Sequence, residues 1–139
     1  MGDHVFFYGT LMSPFNRPGR QRITPKLSYK GRGAIRAALF DLGIYPAAVP
    51  ADDAGLVWGE VYETSDPTGV LSVLDDIEGF RPTEPARSLY TRTLAEVTLE
   101  DGAQTQAWVY FYNAPLGRAE RIVSGDYLLH LGMKHPETR

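Results

Sequence analysis

Hydrophobic side chains fall along this chain in blocks whose period changes from one stretch to the next. Val5, Phe6, Phe7 and Tyr8 are consecutive large apolar or aromatic residues with no alternation, the pattern of a strand covered on both faces. The block ends at Gly9, which permits a backbone conformation that a residue with a Cβ resists, and a sharp turn is expected there. Pro14 and Pro18 follow closely, so no regular element takes up the amides of Gly9, Thr10 and Leu11 together. Amides left free at the end of a central strand form a concave donor cluster suited to a carboxylate or another small anion. The same residues also suit an ordinary exit turn from a buried strand.

Further along, residues 29–42 read as a strand in which Gly31 and Gly33 permit a bend or bulge. Gly43-Ile44-Tyr45-Pro46 breaks it, Asp52-Asp53-Ala54-Gly55 is a turn, and residues 56–62 (LVWGEVY) form the next strand. Ser65-Asp66-Pro67 is a helix start with a capping side chain and an early proline. The helix runs to Glu78 and stops at Gly79, a residue that accepts a left-handed terminus. Pro82 and Pro85 keep residues 79–89 irregular. Residues 90–100 and 104–112 read as two strands joined by the Asp101-Gly102 hairpin signal. The unbroken apolar run 107–112 places the second of them centrally. Residues 118–131 are expected to be helical, with a break near Ser124-Gly125, and residues 134–139 to form a frayed tail. Strands mostly joined by short turns, with two helices that do not alternate with them, predict an α+β fold. Its expected form is one domain over 1–133: a small mixed or antiparallel β-barrel with two flanking helices.

Composition narrows the function classes. Fourteen Lys and Arg against seventeen Asp and Glu give a net charge of −3, no broad basic field, and hence no expectation of a nucleic-acid partner. No apolar run has the length of a membrane span, no signal-peptide pattern opens the chain, and Phe6 breaks the myristoylation pattern begun by Met1-Gly2. The absence of cysteine removes disulfides, thiolate metal sites and a cysteine nucleophile. A cytoplasmic protein with no membrane partner is the expectation. His4, His130 and His135 lack metal-ligand spacing, so no metal is expected. Ser124-Gly125-Asp126 lacks the surrounding elbow of a hydrolase nucleophile, and Gly31-x-Gly33 lacks the third glycine and helix of a dinucleotide site. Trp108, Tyr110 and Tyr112 share one strand face and read as core, with a terminal hydroxyl in reach of a pocket. The arginines are dispersed and read mainly as solvated surface.

The helix ending at Gly79 holds the most informative residue. At about 100° per residue, Val70, Leu71, Val73, Leu74 and Ile77 cover one face, Ser72 and Asp76 lie opposite, and Asp75 is marginal. Glu78 falls ~40° from Leu74 and ~20° from Leu71, inside the apolar arc. A carboxylate there is desolvated, and it sits at the negative end of the helix dipole. Both effects disfavour the charged form and predict a raised pKa, the property a proton-transfer catalyst needs. The competing expectation is a helix that frays early, with Glu78 in solvent or paired with Arg81.

Tyr8-Gly9-Thr10-Leu11 after an apolar strand, followed by Leu74-Asp75-Asp76-Ile77-Glu78-Gly79, resembles the γ-glutamylcyclotransferase-like family. Gly43-Ile44-Tyr45-Pro46, Tyr90-Thr91-Arg92 and Tyr110-Phe111-Tyr112-Asn113 extend the likeness over nearly the whole domain. The resemblance implies a barrel whose first loop, Tyr8, Gly9, Thr10 and Leu11, binds a γ-glutamyl head group through its backbone, with Glu78 as general acid/base. Tyr45, Tyr90 and Tyr112 are expected around the same cavity. Thr10 is more like the branch acting on γ-glutamylamines than the glutathione-degrading branch. The linker 79–89 is long and holds two prolines, a departure from the family pattern that bears on the pocket rim and the choice of substrate. The implied reaction is attack of the substrate's α-amine on its own γ-carbonyl, giving 5-oxoproline and a free amine, with a small-molecule γ-glutamyl partner and no cofactor. The rival readings are a non-catalytic barrel that binds the same small molecule, and a protein-interaction domain with an exposed apolar patch.

Overall fold

The computed structural model describes residues 3–15, 17–43, 45–51 and 55–133. The turn expected at Asp52-Asp53-Ala54 and the tail 134–139 lie outside them, as does Ile44.

The apolar opening block forms β1 (Asp3–Phe7). It is flanked by β4 (Leu56–Thr64), antiparallel with Phe7 opposite Glu60, and by β6 (Gln104–Tyr112), parallel with Val5 opposite Trp108. Neighbours on both edges and faces account for the missing alternation: Val5, Phe6 and Phe7 are all buried. The hairpin partner of β6 is β5 (Tyr90–Leu99).

The longest strand, β2 (Ser28–Asp41), carries the bulge expected near its glycines: the register shifts between Tyr29 and Gly31, and Gly31 has φ of +142°. Its first part pairs with β4, and at Gly33 and Ala34 it also meets Leu99 and Thr98 of β5. The five strands β2-β4-β1-β6-β5 thereby close into a mixed barrel. A Cβ on Gly33 would lie 2.8 Å from the Val97 side chain, so the seam closes only over a bare glycine. The far end of β2 pairs with β3 (Pro46–Pro50), a short strand that starts at the last residue of the expected break.

The expected long helix is α2 (Pro67–Glu78); it is preceded by the single turn α1 (Pro18–Gln21). The Asp66 side chain accepts from the Gly69 amide at 3.2 Å, and Gly79 ends the helix with φ of +68°. Val70, Leu71 and Leu74 are buried on the barrel, while Ser72 and Asp76 face solvent.

The helix expected over 118–131 is not formed. Its place is taken by β7 (Glu120–Arg121), a turn, and the single-turn α3 (Tyr127–His130). The cause is tertiary. Phe40 and Asp41 of β2 pair with Arg121 and Glu120, and the Leu39 carbonyl accepts from the Ile122 amide at 2.8 Å. Gly125, with φ of +69°, then presents its carbonyl to the Trp58 amide at 2.8 Å. The free backbone of a sheet edge outbids local helix propensity here.

Candidate active site

At the end of β1 the chain leaves the sheet and doubles back, with the Met12 amide donating to the Gly9 carbonyl at 3.0 Å. The amides of Gly9, Thr10 and Leu11 have no acceptor among the described residues. The reason for Gly9 is not the one expected from sequence. Its φ is not positive; a Cβ there would meet the Pro46 ring at 2.8 Å. Close approach of β3 to the turn, rather than a left-handed backbone, requires glycine.

Two buried charges hold the turn from below. Glu60 of β4, 1% exposed, accepts from the Ser13 amide and hydroxyl and from the Tyr62 hydroxyl, each at 2.9 Å. Burial, with Glu60 adjacent, pushes the Tyr62 hydroxyl up to about 12, so it remains a donor. Arg20, on α1, donates from Nε to the Leu11 carbonyl at 3.1 Å and lies over the rings of Tyr62 and Phe7. The expectation that arginines are mainly solvated surface fails here, and again at Arg92.

Facing the turn is the last residue of α2. Glu78, the Tyr8, Gly9, Thr10 and Leu11 turn, Tyr45 and Tyr90 all line one cavity of about 130 Å³. Desolvation pushes the Glu78 carboxyl from 4.5 up to about 7, with the Arg17 guanidinium pulling weakly the other way. Helix α2 does not fray before Glu78, and Arg81 faces Glu84 instead, at 3.9 Å.

The aromatic residues divide by role. Tyr8 donates its hydroxyl to the Tyr110 carbonyl at 2.6 Å and accepts from the Ala48 amide at 3.3 Å, while Tyr90 donates to the Pro46 carbonyl at 3.0 Å. Burial raises the pKa of both, so they form a neutral, rigid wall. Tyr45 packs against Tyr90 with ring centres 6.3 Å apart. Tyr112 is not part of the lining; it meets Tyr90 edge-on at 5.2 Å, behind the wall. It was expected at the cavity from its place at a strand end, but its side chain falls outside the neighbouring Tyr90.

Three groups escaped the sequence reading. Asp75, expected at the margin of the helix face, accepts from the Tyr110 hydroxyl at 2.5 Å and pairs with Arg92 at 3.2 Å. These contacts tie α2 to β5 and β6 one helical turn before Glu78. Glu60 had a detectable signal, a lone acid inside the apolar run 56–62. Arg17, whose Nη1 donates to Thr10 Oγ1 at 2.8 Å and which lines the cavity, had none. Among the described residues no group of His, Asp and Glu has metal-binding geometry, and no helix is long and apolar enough to cross a membrane.

An acid with a pKa near neutrality and a turn whose amides have no acceptor among the described residues thus line one cavity at the end of a small barrel. The chain belongs to the gamma-glutamyl cyclotransferase, AIG2-like family, whose sequence profile matches residues 5–129. It is 32% identical to the gamma-glutamylcyclotransferase family protein YtfP of Escherichia coli over 125 residues, 89% of this chain and 95% of YtfP. The mouse AIG2-like protein superposes with a TM-score of 0.68 at 25% identity, covering 99% of both chains. YkqA of Bacillus subtilis also gives 0.68, at 24% identity; the chain covers 96% of its own length but only 44% of YkqA.

Proposed function

We propose that this protein is a γ-glutamylcyclotransferase, releasing 5-oxoproline and an amine from a γ-glutamyl compound. The observation that carries the reading is the cavity shared by Glu78, its carboxyl pushed up to about 7, and the amides of Gly9, Thr10 and Leu11, which have no acceptor among the described residues. The substrate's α-carboxylate rests on those amides. Glu78 in its ionised form takes one proton from the α-ammonium. The freed amine attacks the γ-carbonyl carbon; the new C–N bond closes a five-membered ring and an electron pair moves to the carbonyl oxygen. Collapse of this adduct restores the carbonyl and breaks the bond to the leaving nitrogen, which receives the proton from Glu78. The extra proton on the ring nitrogen departs with the amine as its ammonium. The balance closes within the substrate and one carboxyl group, with no cofactor in any step. A pKa near 7 keeps both forms of that group populated at neutral pH, which suits a shuttle. Because the nucleophile is tethered to its electrophile, much of the entropic cost of the encounter is already met.

The test is a panel of γ-glutamyl compounds with 5-oxoproline read by mass spectrometry. The expected result is turnover by the wild type and a fall on the order of 10²–10⁴-fold in Glu78→Gln, with ligand binding retained. A wild type that binds 5-oxoproline yet turns over no member of the panel is a binding barrel, and a Gln variant of normal activity removes Glu78 from the mechanism.

A further inference from the structure

Among the described residues the cavity lining holds two charged side chains, Glu78 and Arg17. The mechanism above uses the first and leaves the second without a task. Arg17 forms no ion pair among the described residues; its Nη1 is held by Thr10 Oγ1 at 2.8 Å, and its charge is felt at Glu78. Among the described lining residues only Arg17 and Leu89 are exposed, so these two mark the mouth. Leu89 closes the proline-containing linker that departs from the family pattern.

The cavity, of about 130 Å³, is bounded on its exposed side by Arg17 and Leu89. The leaving nitrogen must touch Glu78 to receive its proton, so whatever that nitrogen carries leads away from Glu78 toward the mouth. There it passes between a guanidinium and an apolar side chain. A carboxylate on the carbon next to the nitrogen falls two bonds beyond the atom that Glu78 protonates, toward Arg17. Resting on the cyclotransferase reading, we propose that Arg17 is a specificity-determining residue that selects leaving amines carrying an adjacent carboxylate, with Leu89 taking their apolar substituent. A polyamine leaving group, being cationic, is repelled by the same charge, so this inference departs from the likeness of Thr10 to the branch acting on γ-glutamylamines.

The experiment compares γ-glutamylalanine with γ-glutamylethylamide, which differ only in that carboxylate. The readout is the ratio of their kcat/KM values, in the wild type, Arg17→Gln and Arg17→Lys. Each preparation meets both substrates, so partial misfolding lowers both rates and leaves the ratio alone. The wild type is expected to favour γ-glutamylalanine on the order of tenfold, as befits one exposed charge-assisted contact. Arg17→Gln should bring the ratio near one, Arg17→Lys should keep part of it, and added salt should reduce it in the wild type. A wild-type ratio near one overturns the inference. So does an unchanged ratio in Arg17→Gln with both rates lowered together, which would place Arg17 on the head group. A wild type that forms 5-oxoproline from other members of the γ-glutamyl panel but from neither of these two substrates also overturns the inference. One that forms it from no member of the panel overturns the cyclotransferase reading itself, a different result.

Discussion

At the scale of single residues, the chemistry turns on where one carboxyl group is dehydrated. With its folded pKa raised to about 7 from 4.5, Glu78 makes the native state bind more protons than the unfolded chain between those values. Its contribution to stability is therefore fully present below about 4.5 and is lost as pH rises through about 7. In Glu78→Gln this pH-dependent contribution should vanish, so melting temperature against pH should be flatter across that window; equal slopes in the two proteins would show that Glu78 is not desolvated. Gly9 makes a separate prediction. Because its φ is not left-handed, Gly9→Ala meets no backbone strain, only the Pro46 ring at 2.8 Å. The expected outcome is a folded protein with a displaced turn: lowered melting temperature, and an affinity for 5-oxoproline reduced more than stability alone accounts for. Unchanged affinity would free the turn from the role given to it.

At the scale of elements, the turn after β1 owes its shape to β4 and α1 rather than to its own residues. Glu60 gathers three donors and Arg20 fixes the Leu11 carbonyl, both from buried positions. Buried charges of this kind add little net stability compared with apolar packing, yet are costly to break on one side only. Glu60→Ala leaves the Ser13 amide and Tyr62 hydroxyl without their acceptor, a loss on the order of 3 kcal/mol, measurable by urea denaturation. Glu60→Gln keeps most of the bonding and should retain the fold; a rise in KM with kcat nearly held would mark Glu60 as a group that positions the turn. The C-terminal elements depend likewise on one junction. A Cβ on Gly125 would overlap the Leu56 carbonyl oxygen, at a residue whose φ is already +69°. Gly125→Ala should accordingly be among the most destabilising single substitutions in the chain.

Over the whole molecule, the barrel is closed by pairings between distant parts of the sequence: β1 with β6, and β2 with β5. Neither end of the cavity exists until both have formed, because the turn lies at the end of β1 while Tyr90 begins β5 and Tyr110 lies in β6. Unfolding should be one cooperative event, with circular dichroism and the fluorescence of Trp58 on β4 and Trp108 on β6 giving coincident transitions. Separate transitions would mean that part of the barrel stands without the rest.

The sequence by itself determined the elements whose signals are local. The unbroken run of β1, the Asp66 cap and Gly79 terminus of α2, the bulge of β2 and the β5–β6 hairpin are all formed where short-range pattern places them. It also determined that Glu78 lies on a buried face, since helical period and apolar neighbours fix that without knowledge of the fold. Tertiary structure decided everything that depends on a partner far along the chain. The free edge of β2 drew residues 120–122 out of a helix, and the Pro46 ring set the demand at Gly9. Tyr112 fell behind Tyr90, and Arg17 came to the cavity mouth. Period and propensity report which face of an element is apolar; they carry no information about which distant group arrives to meet it.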